Sequence, residues 1–310
     1  MYLDFYGLRE QPFSPTPDPK FLYLTPGHRE ALAQLLYGVA EGKGFMVLTG
    51  EVGTGKTTLI HTLLERLDGG TAVAFVLNST LPFDGLLEYV LEDFGIPSPN
   101  GTLAQRLVAL NRFLIERRRA GQTALLIVDE AQNLSPSTLE QIRLLSNFET
   151  PTGKLLQILL AGQPELREKL ARPDLRQLTQ RIGMRCAIRP LTPEETREYI
   201  RSRLAVAGAS DARVFGDRAV QRIAQYTGGV PRLISLLCDH CLVMGYAEQM
   251  RRVDGDTVER AIDGLEEGLQ PARARGARWR PSHAPWRWVL GGQTCRAAAE
   301  PSRACYLSSR

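Results

Sequence analysis

The stretch Phe45-Met46-Val47-Leu48-Thr49-Gly50-Glu51-Val52-Gly53-Thr54-Gly55-Lys56-Thr57-Thr58 joins a continuous apolar run to a glycine-rich loop. The run does not alternate, which suits a strand of a parallel sheet covered on both faces. The loop has the form GxxxxGK[ST], fixed at Gly50, Gly55, Lys56 and Thr57. Four such positions arise by accident in a chain of this length on the order of 1% of the time, and a flanking strand and helix lower that further. Glycines let the loop curl so that successive N–H groups point inward at phosphate oxygens. A helix starting near Lys56 presents its positive end to the same phosphates. The expected nucleotide contacts are Gly50, Glu51, Val52, Gly53, Thr54, Gly55, Lys56, Thr57 and Thr58. Lys56 is expected to reach the β- and γ-phosphates, and the Thr57 hydroxyl to bind Mg²⁺.

Further along, Ala124-Leu125-Leu126-Ile127-Val128 is a second apolar strand, ending in Asp129 and Glu130. A strand ending this way sets two carboxylates at the carboxyl edge of a sheet, where ligands of α/β proteins bind. Alone, such a pair is more often a solvated strand end. Beside a phosphate loop it gives Asp129 as a Mg²⁺ ligand and Glu130 as the group that polarises an attacking water.

Around these two motifs strands alternate with helices. Ala72–Leu77, Leu155–Ala161 and Met184–Ile188 complete five buried strands, with helical patterns over 57–67, 84–94, 103–119, 136–148, 164–170 and 173–180. This predicts an open α/β sheet of the P-loop nucleotidase kind, five parallel strands with helices on both faces. Beyond about Pro190–Pro193 the strand signal stops. Helices near 193–207, 217–226, 231–247 and 256–268 form an all-helical lid. Residues 1–30, rich in Pro and aromatic side chains, read as an extended segment, and a helix follows from about His28 to Glu41. The expected division is therefore 1–30 (an extended segment), 31–191 (the α/β core), 192–268 (the helical unit) and 269–310 (a basic, disordered tail).

Composition narrows the class. The chain has 310 residues, 43% hydrophobic and 23% charged, with five cysteines. These values exclude a mainly disordered or disulfide-stapled protein. No apolar run reaches the roughly 18–20 residues of a membrane-spanning helix. Met1–Glu10 contains Asp4 and lacks a basic-then-apolar pattern, against a secretory signal; the expected location is cytoplasmic, at the inner face of the membrane through partners. The net charge of +4 is uneven: eight Arg and one Glu fall in 271–310, leaving 30 basic and 33 acidic side chains before it. A body of −3 weighs mildly against duplex DNA, which favours a basic face, although Arg112, Arg117, Arg118 and Arg119 can form a local stripe.

Gly50–Thr57, the run Asp129-Glu130-Ala131-Gln132-Asn133-Leu134 and Ala161-Gly162-Gln163-Pro164-Glu165-Leu166 resemble AAA+ ATPases. The likeness is to secretion-pathway A-type ATPases, including those associated with exosortase systems. Tyr6-Gly7-Leu8 and Pro12-Phe13-Ser14 match that group, and TniB-type transposition ATPases share much of the pattern. The resemblance covers about residues 1–268. It implies Mg²⁺-dependent ATP hydrolysis by a homo-oligomer, with Arg181 as an arginine finger (Arg176 and Arg185 being rivals). It also implies Gln163 as a polar sensor, Asn78 as a restraint on Glu130, and Arg232 as a lid residue touching phosphate. Tyr23, Leu24 and His28 fall in the segment that covers adenine in the family. Two functions follow from the resemblance: an ATPase that powers or regulates an envelope export assembly, or an ATP-dependent DNA-binding regulator of transposition. A nucleotide switch that scarcely hydrolyses is a third reading, which intact Glu130 opposes.

Two further features have plain readings. Cys238-Asp239-His240-Cys241 has CxxC spacing, but it lies in an apolar helical stretch with no second ligand pair, so core cysteines are expected. The tail Pro271–Arg310 admits three readings: a site for an anionic partner, a linker, or text shifted out of its original frame. The 33 Arg against 5 Lys fit a GC-rich gene and keep the last reading open.

Overall fold

The computed structural model describes residues 1–14, 18–77, 79–97, 101–151, 153–209 and 213–269. Asn78 and the 270–310 tail lie outside the described residues.

A short helix, α1 (Tyr2–Tyr6), and a 3-10 turn at Pro19–Phe21 precede α2 (Pro26–Ala40). The core then runs β1 (Phe45–Gly50), α3 (Lys56–Arg66), β2 (Thr71–Val76), α4 (Phe83–Asp93), α5 (Leu103–Arg119) and β3 (Thr123–Val128). It continues through α6 (Pro136–Leu145), a hairpin of β4 (Glu149–Thr150) and β5 (Gly153–Lys154), β6 (Leu156–Gly162), α7 (Pro164–Leu170), α8 (Arg176–Arg181) and β7 (Ile182–Ile188). Four helices finish the described chain: α9 (Pro193–Val206), α10 (Asp217–Thr227), α11 (Pro231–Ala247) and α12 (Gly255–Leu269).

The five long strands form one parallel sheet in the order β2-β3-β6-β1-β7. The continuous apolar runs are explained by two buried faces. Phe45, Val47, Leu126, Val128, Ile158 and Leu160 point into one core, under α4, α5 and α6. Met46, Leu48, Leu125, Ile127, Leu159 and Ala161 point into the other, under α2 and α3. Because β6 lies between β1 and β3, the phosphate loop after β1 and the carboxylates after β3 flank the end of β6.

The first residues depart from the expected extended segment. Tyr2–Tyr6 is helical, closed by Gly7 in the left-handed region (φ 67°). Tyr2, Tyr6, Leu8, Phe13 and Phe21 are buried with α9–α12 in a third core. The aromatic side chains thus serve the lid: Tyr2 Oη donates to Asp239 at 2.7 Å, and Arg203 Nε donates to the Pro12 carbonyl. Three shorter details also differ. The helix expected over 136–148 ends at Leu145, the one expected over 173–180 divides into a 3-10 turn and α8, and the 149–154 hairpin was unexpected. Cys238 and Cys241 are fully buried in the lid core, and burial pushes both thiols above their ordinary pKa.

Candidate active site

Gly50 ends β1 and Lys56 begins α3, so the phosphate loop hangs between a buried strand and a helix N-terminus. Gly53 and Gly55 take φ values of 78° and 99°, conformations that L side chains rarely adopt. Loop shape is fixed from within: Thr54 Oγ1 donates to the Glu51 carbonyl at 2.8 Å. Lys56, 5% exposed, donates to the carbonyls of Gly50 at 2.8 Å and Glu51 at 3.0 Å. Burial lowers its pKa, while Glu130 and Asp129 pull the other way. The ammonium is therefore held inside the loop and faces the two carboxylates.

Thr57 and Asp129, 72 positions apart, meet at the mouth of this loop: Thr57 Oγ1 donates to Asp129 Oδ2 at 2.8 Å. One hydroxyl and one carboxylate are hard oxygen donors that leave room for phosphate and water, the donor set Mg²⁺ prefers. Asp129 also accepts from the Glu130 N–H through Oδ1 at 2.9 Å, and its own N–H donates to Val76 O at 3.0 Å, extending the β2–β3 ladder.

Glu130 lies one residue on, at φ 51°; it and Gln249 are the non-glycine residues with positive φ among those described. A left-handed turn at this point lifts the side chain off the strand line and starts a 3-10 turn over Ala131–Asn133. Ser79 Oγ donates to the Glu130 carbonyl at 2.8 Å. The carboxylate Oε2 accepts from Gln163 Nε2 at 3.0 Å and from Gln132 Nε2. Burial alone would raise the Glu130 pKa. The two amides and the Lys56 charge outweigh that and hold it below the usual carboxylate range.

Gln163 is therefore where the sequence placed it, at the end of β6, with its amide turned onto Glu130. Gln132 carried no role in the sequence reading, although it sits inside the quoted Asp129–Leu134 run. Its backbone carbonyl and that of Leu134 both accept from Lys169 Nζ. A donor two residues after a strand-end glutamate was the available signal.

The lid reaches the site through the start of α11. Arg232 N–H donates to the Gly53 carbonyl at 3.3 Å, and a Cβ on Gly53 would fall 2.8 Å from Arg232 Cβ. The Arg232 side chain is exposed beside the loop. His28 also touches the loop: its Nε2 lies 3.0 Å from Thr54 O and its Nδ1 2.7 Å from Thr25 Oγ1. The ring braces the loop backbone, and Tyr23 stacks edge-on with Tyr199 of the lid at 6.0 Å.

The three arginines are at the α8–β7 edge. Arg181 donates to Ser146 Oγ and Asn147 Oδ1, both at 2.6 Å, and Arg185 to Thr179 O at 3.0 Å. Arg176 is exposed. Thr58 lies in the first turn of α3, and its carbonyl accepts from Thr62 Oγ1 at 2.9 Å.

Residues 39–170 match the AAA domain family. The chain is 44% identical over 254 residues to General secretion pathway protein A of Aeromonas hydrophila, covering 82% of this chain and 46% of that relative. It thus spans less than half of that protein's length. Among solved structures, the Aeropyrum pernix ORC2 protein superposes with a TM-score of 0.61 at 20% identity, over 83% of this chain and 72% of that one. The Thermotoga maritima RuvB branch migration motor gives 0.53 at 19% identity, over 80% and 74%. These two likenesses establish the fold.

Proposed function

With residues 39–170 belonging to the AAA domain family and the wider chain related to General secretion pathway protein A, we propose that the protein binds Mg²⁺-ATP and hydrolyses the γ-phosphate to drive or regulate an envelope export assembly. The observation that carries the chemistry is the meeting of Lys56, Thr57, Asp129 and Glu130 at one sheet edge.

The loop N–H groups and Lys56 bind the phosphate chain and hold it in line with an incoming water. Thr57 and Asp129 would hold Mg²⁺, which would supply charge neutralisation on the phosphate oxygens. Glu130, kept ionised, orients the water and takes its proton as the new P–O bond forms and the β–γ bridging bond breaks. The products are ADP and phosphate. Arg232 would sense phosphate from the lid, and Arg181 would reach the γ-phosphate of a neighbouring subunit in a homo-oligomer, with Arg176 and Arg185 as its rivals. Assignment to an export assembly is supported by the Aeromonas relative, and with it we infer a location in the cytoplasm at the inner face of the membrane. No described helix is long and apolar enough to cross a membrane. The acidic balance of residues 1–270 weighs against the DNA-binding alternative.

Steady-state ATP turnover by the full chain, measured over a wide range of protein concentration beside Glu130→Gln, tests the proposal. Turnover should rise steeply with concentration and fall by about 10²- to 10⁴-fold in the variant, the usual weight of a positioned general base. Turnover equal in the two proteins would overturn Glu130 as the base, and a wild type that binds ATP without turnover would overturn the hydrolase assignment. A rate per subunit that is flat with concentration would remove the trans role of Arg181.

A further inference from the structure

Glu130 is half-buried, and its backbone alone does not fix where its carboxylate points. What fixes it is a pair of amides. Gln132 Nε2 and Gln163 Nε2 both donate to Oε2, and Gln132 Oε1 in turn accepts from the Gln163 N–H at 3.1 Å. Gln132 thus bridges the end of β3 to the end of β6, 31 residues away in sequence. Its own position is held by packing and by charge. Gly162 leaves the space it occupies, since a Cβ there would fall 2.7 Å from Gln132 Oε1. Lys169, from the far end of α7, grips the carbonyls of Gln132 and Leu134 and so clamps the turn that carries the amide.

Both amides sit on Oε2, so neither occupies the second carboxylate oxygen, Oε1. We propose that Gln132 is the positioning residue for Glu130, setting the carboxylate so that this second oxygen meets the attacking water. The inference rests on the hydrolase reading above. It also makes the amide bridge a register between the two loops that border the γ-phosphate: when the β6 loop shifts, the Gln163 N–H carries Gln132 with it, and the carboxylate follows. In this role Gln132 acts on the reaction only through Glu130, to which its amide donates.

That last property gives the test. In the full chain, Gln132→Ala and Gln132→Met should each lower kcat by about 10- to 100-fold, the scale of a misplaced catalytic group. The ATP dissociation constant, read by calorimetry, should stay within about twofold. Methionine keeps the volume without the amide, so equal losses in the two variants assign the effect to hydrogen bonding. Gly162→Ala supplies an independent route: its methyl group displaces the Gln132 amide and should lower kcat with Gln132 still present. Single-turnover rates close the argument. Against a Glu130→Ala background, adding Gln132→Ala should change nothing, because the residue it positions is gone. A Gln132→Ala protein with wild-type kcat, or one whose defect persists at full size without Glu130, overturns the proposal while leaving the hydrolase reading in place. A wild-type chain that binds ATP without turning it over overturns both.

Discussion

At the scale of single residues, the site concentrates strain where the chemistry is. Glu130 holds a left-handed backbone conformation that costs an L residue about 1–2 kcal/mol, which glycine does not incur. Comparison of two truncations isolates that cost. Glu130→Gly is expected to be more stable than Glu130→Ala by about 1 kcal/mol in urea unfolding, although both lack turnover; equal stability would mean that the turn relaxes once the carboxylate is gone. His28 makes a second residue-level case. Its two ring contacts fit the Nε2–H tautomer, with Nδ1 accepting from Thr25 and Nε2 donating to the loop carbonyl. Burial lowers its pKa from the ordinary 6.5, against the raising effects of the Thr54 contact and Glu195. Because the fold prefers the neutral ring, its stabilising contribution is whole above the unfolded value and declines as pH falls below it. The melting temperature should therefore drop between pH 7 and 5.5, and His28→Gln should make that drop shallower.

At the scale of elements, the sequence revealed what is contiguous and concealed what is assembled. Gly50–Thr57 and Asp129–Glu130 were legible because each motif is a short run whose neighbours declare a strand on one side. The bridge from Gln132 to Gln163 was not, because it depends on a hydrogen bond across 31 residues and on the space above Gly162. The Tyr2–Tyr6 helix was hidden by the prolines that follow it, and the 149–154 hairpin has strands of two residues, below any period a pattern can show. His28 was placed near adenine from resemblance; only the fold shows its ring on the loop backbone. The connection into the lid offers an element-level prediction. Gly229 has φ 77°, its carbonyl accepts from Leu191 N at 2.8 Å, and a Cβ there would fall 2.0 Å from the Leu191 carbonyl oxygen. Gly229→Ala should destabilise by more than the roughly 1–2 kcal/mol of left-handed strain alone, read as a lowered urea midpoint. A variant at wild-type stability would show that the α10–α11 turn is loose.

On the scale of the whole described body, residues 1–14 and 18–30 tie the two halves together. Tyr2, Phe13 and Phe21 are buried in the lid core, and the same segment then delivers Thr25 and His28 to the phosphate loop. The sheet and the lid accordingly share the nucleotide loop as a common boundary. Mg²⁺-ATP at about 100 times its dissociation constant should stabilise the wild type by about 2.7 kcal/mol, seen as a rise in melting temperature. Lys56→Met should lose nearly all of that rise and Arg232→Ala part of it; an Arg232→Ala protein with the full rise would remove Arg232 from the site.

The Gly53 carbonyl and Gly53 Cα are pressed against the first turn of α11. Two bodies sharing a wall cannot be read independently. If nucleotide shifts the lid between two positions, then whatever macromolecule grips the lid in one of them must alter ATP affinity by the same factor by which ATP alters its own grip. Each 1.4 kcal/mol of that mutual preference is tenfold in both directions. Under the proposed function such coupling would make the protein a two-way gauge, an assembly that grips the lid reporting its state to the nucleotide site as faithfully as the nucleotide reports to it.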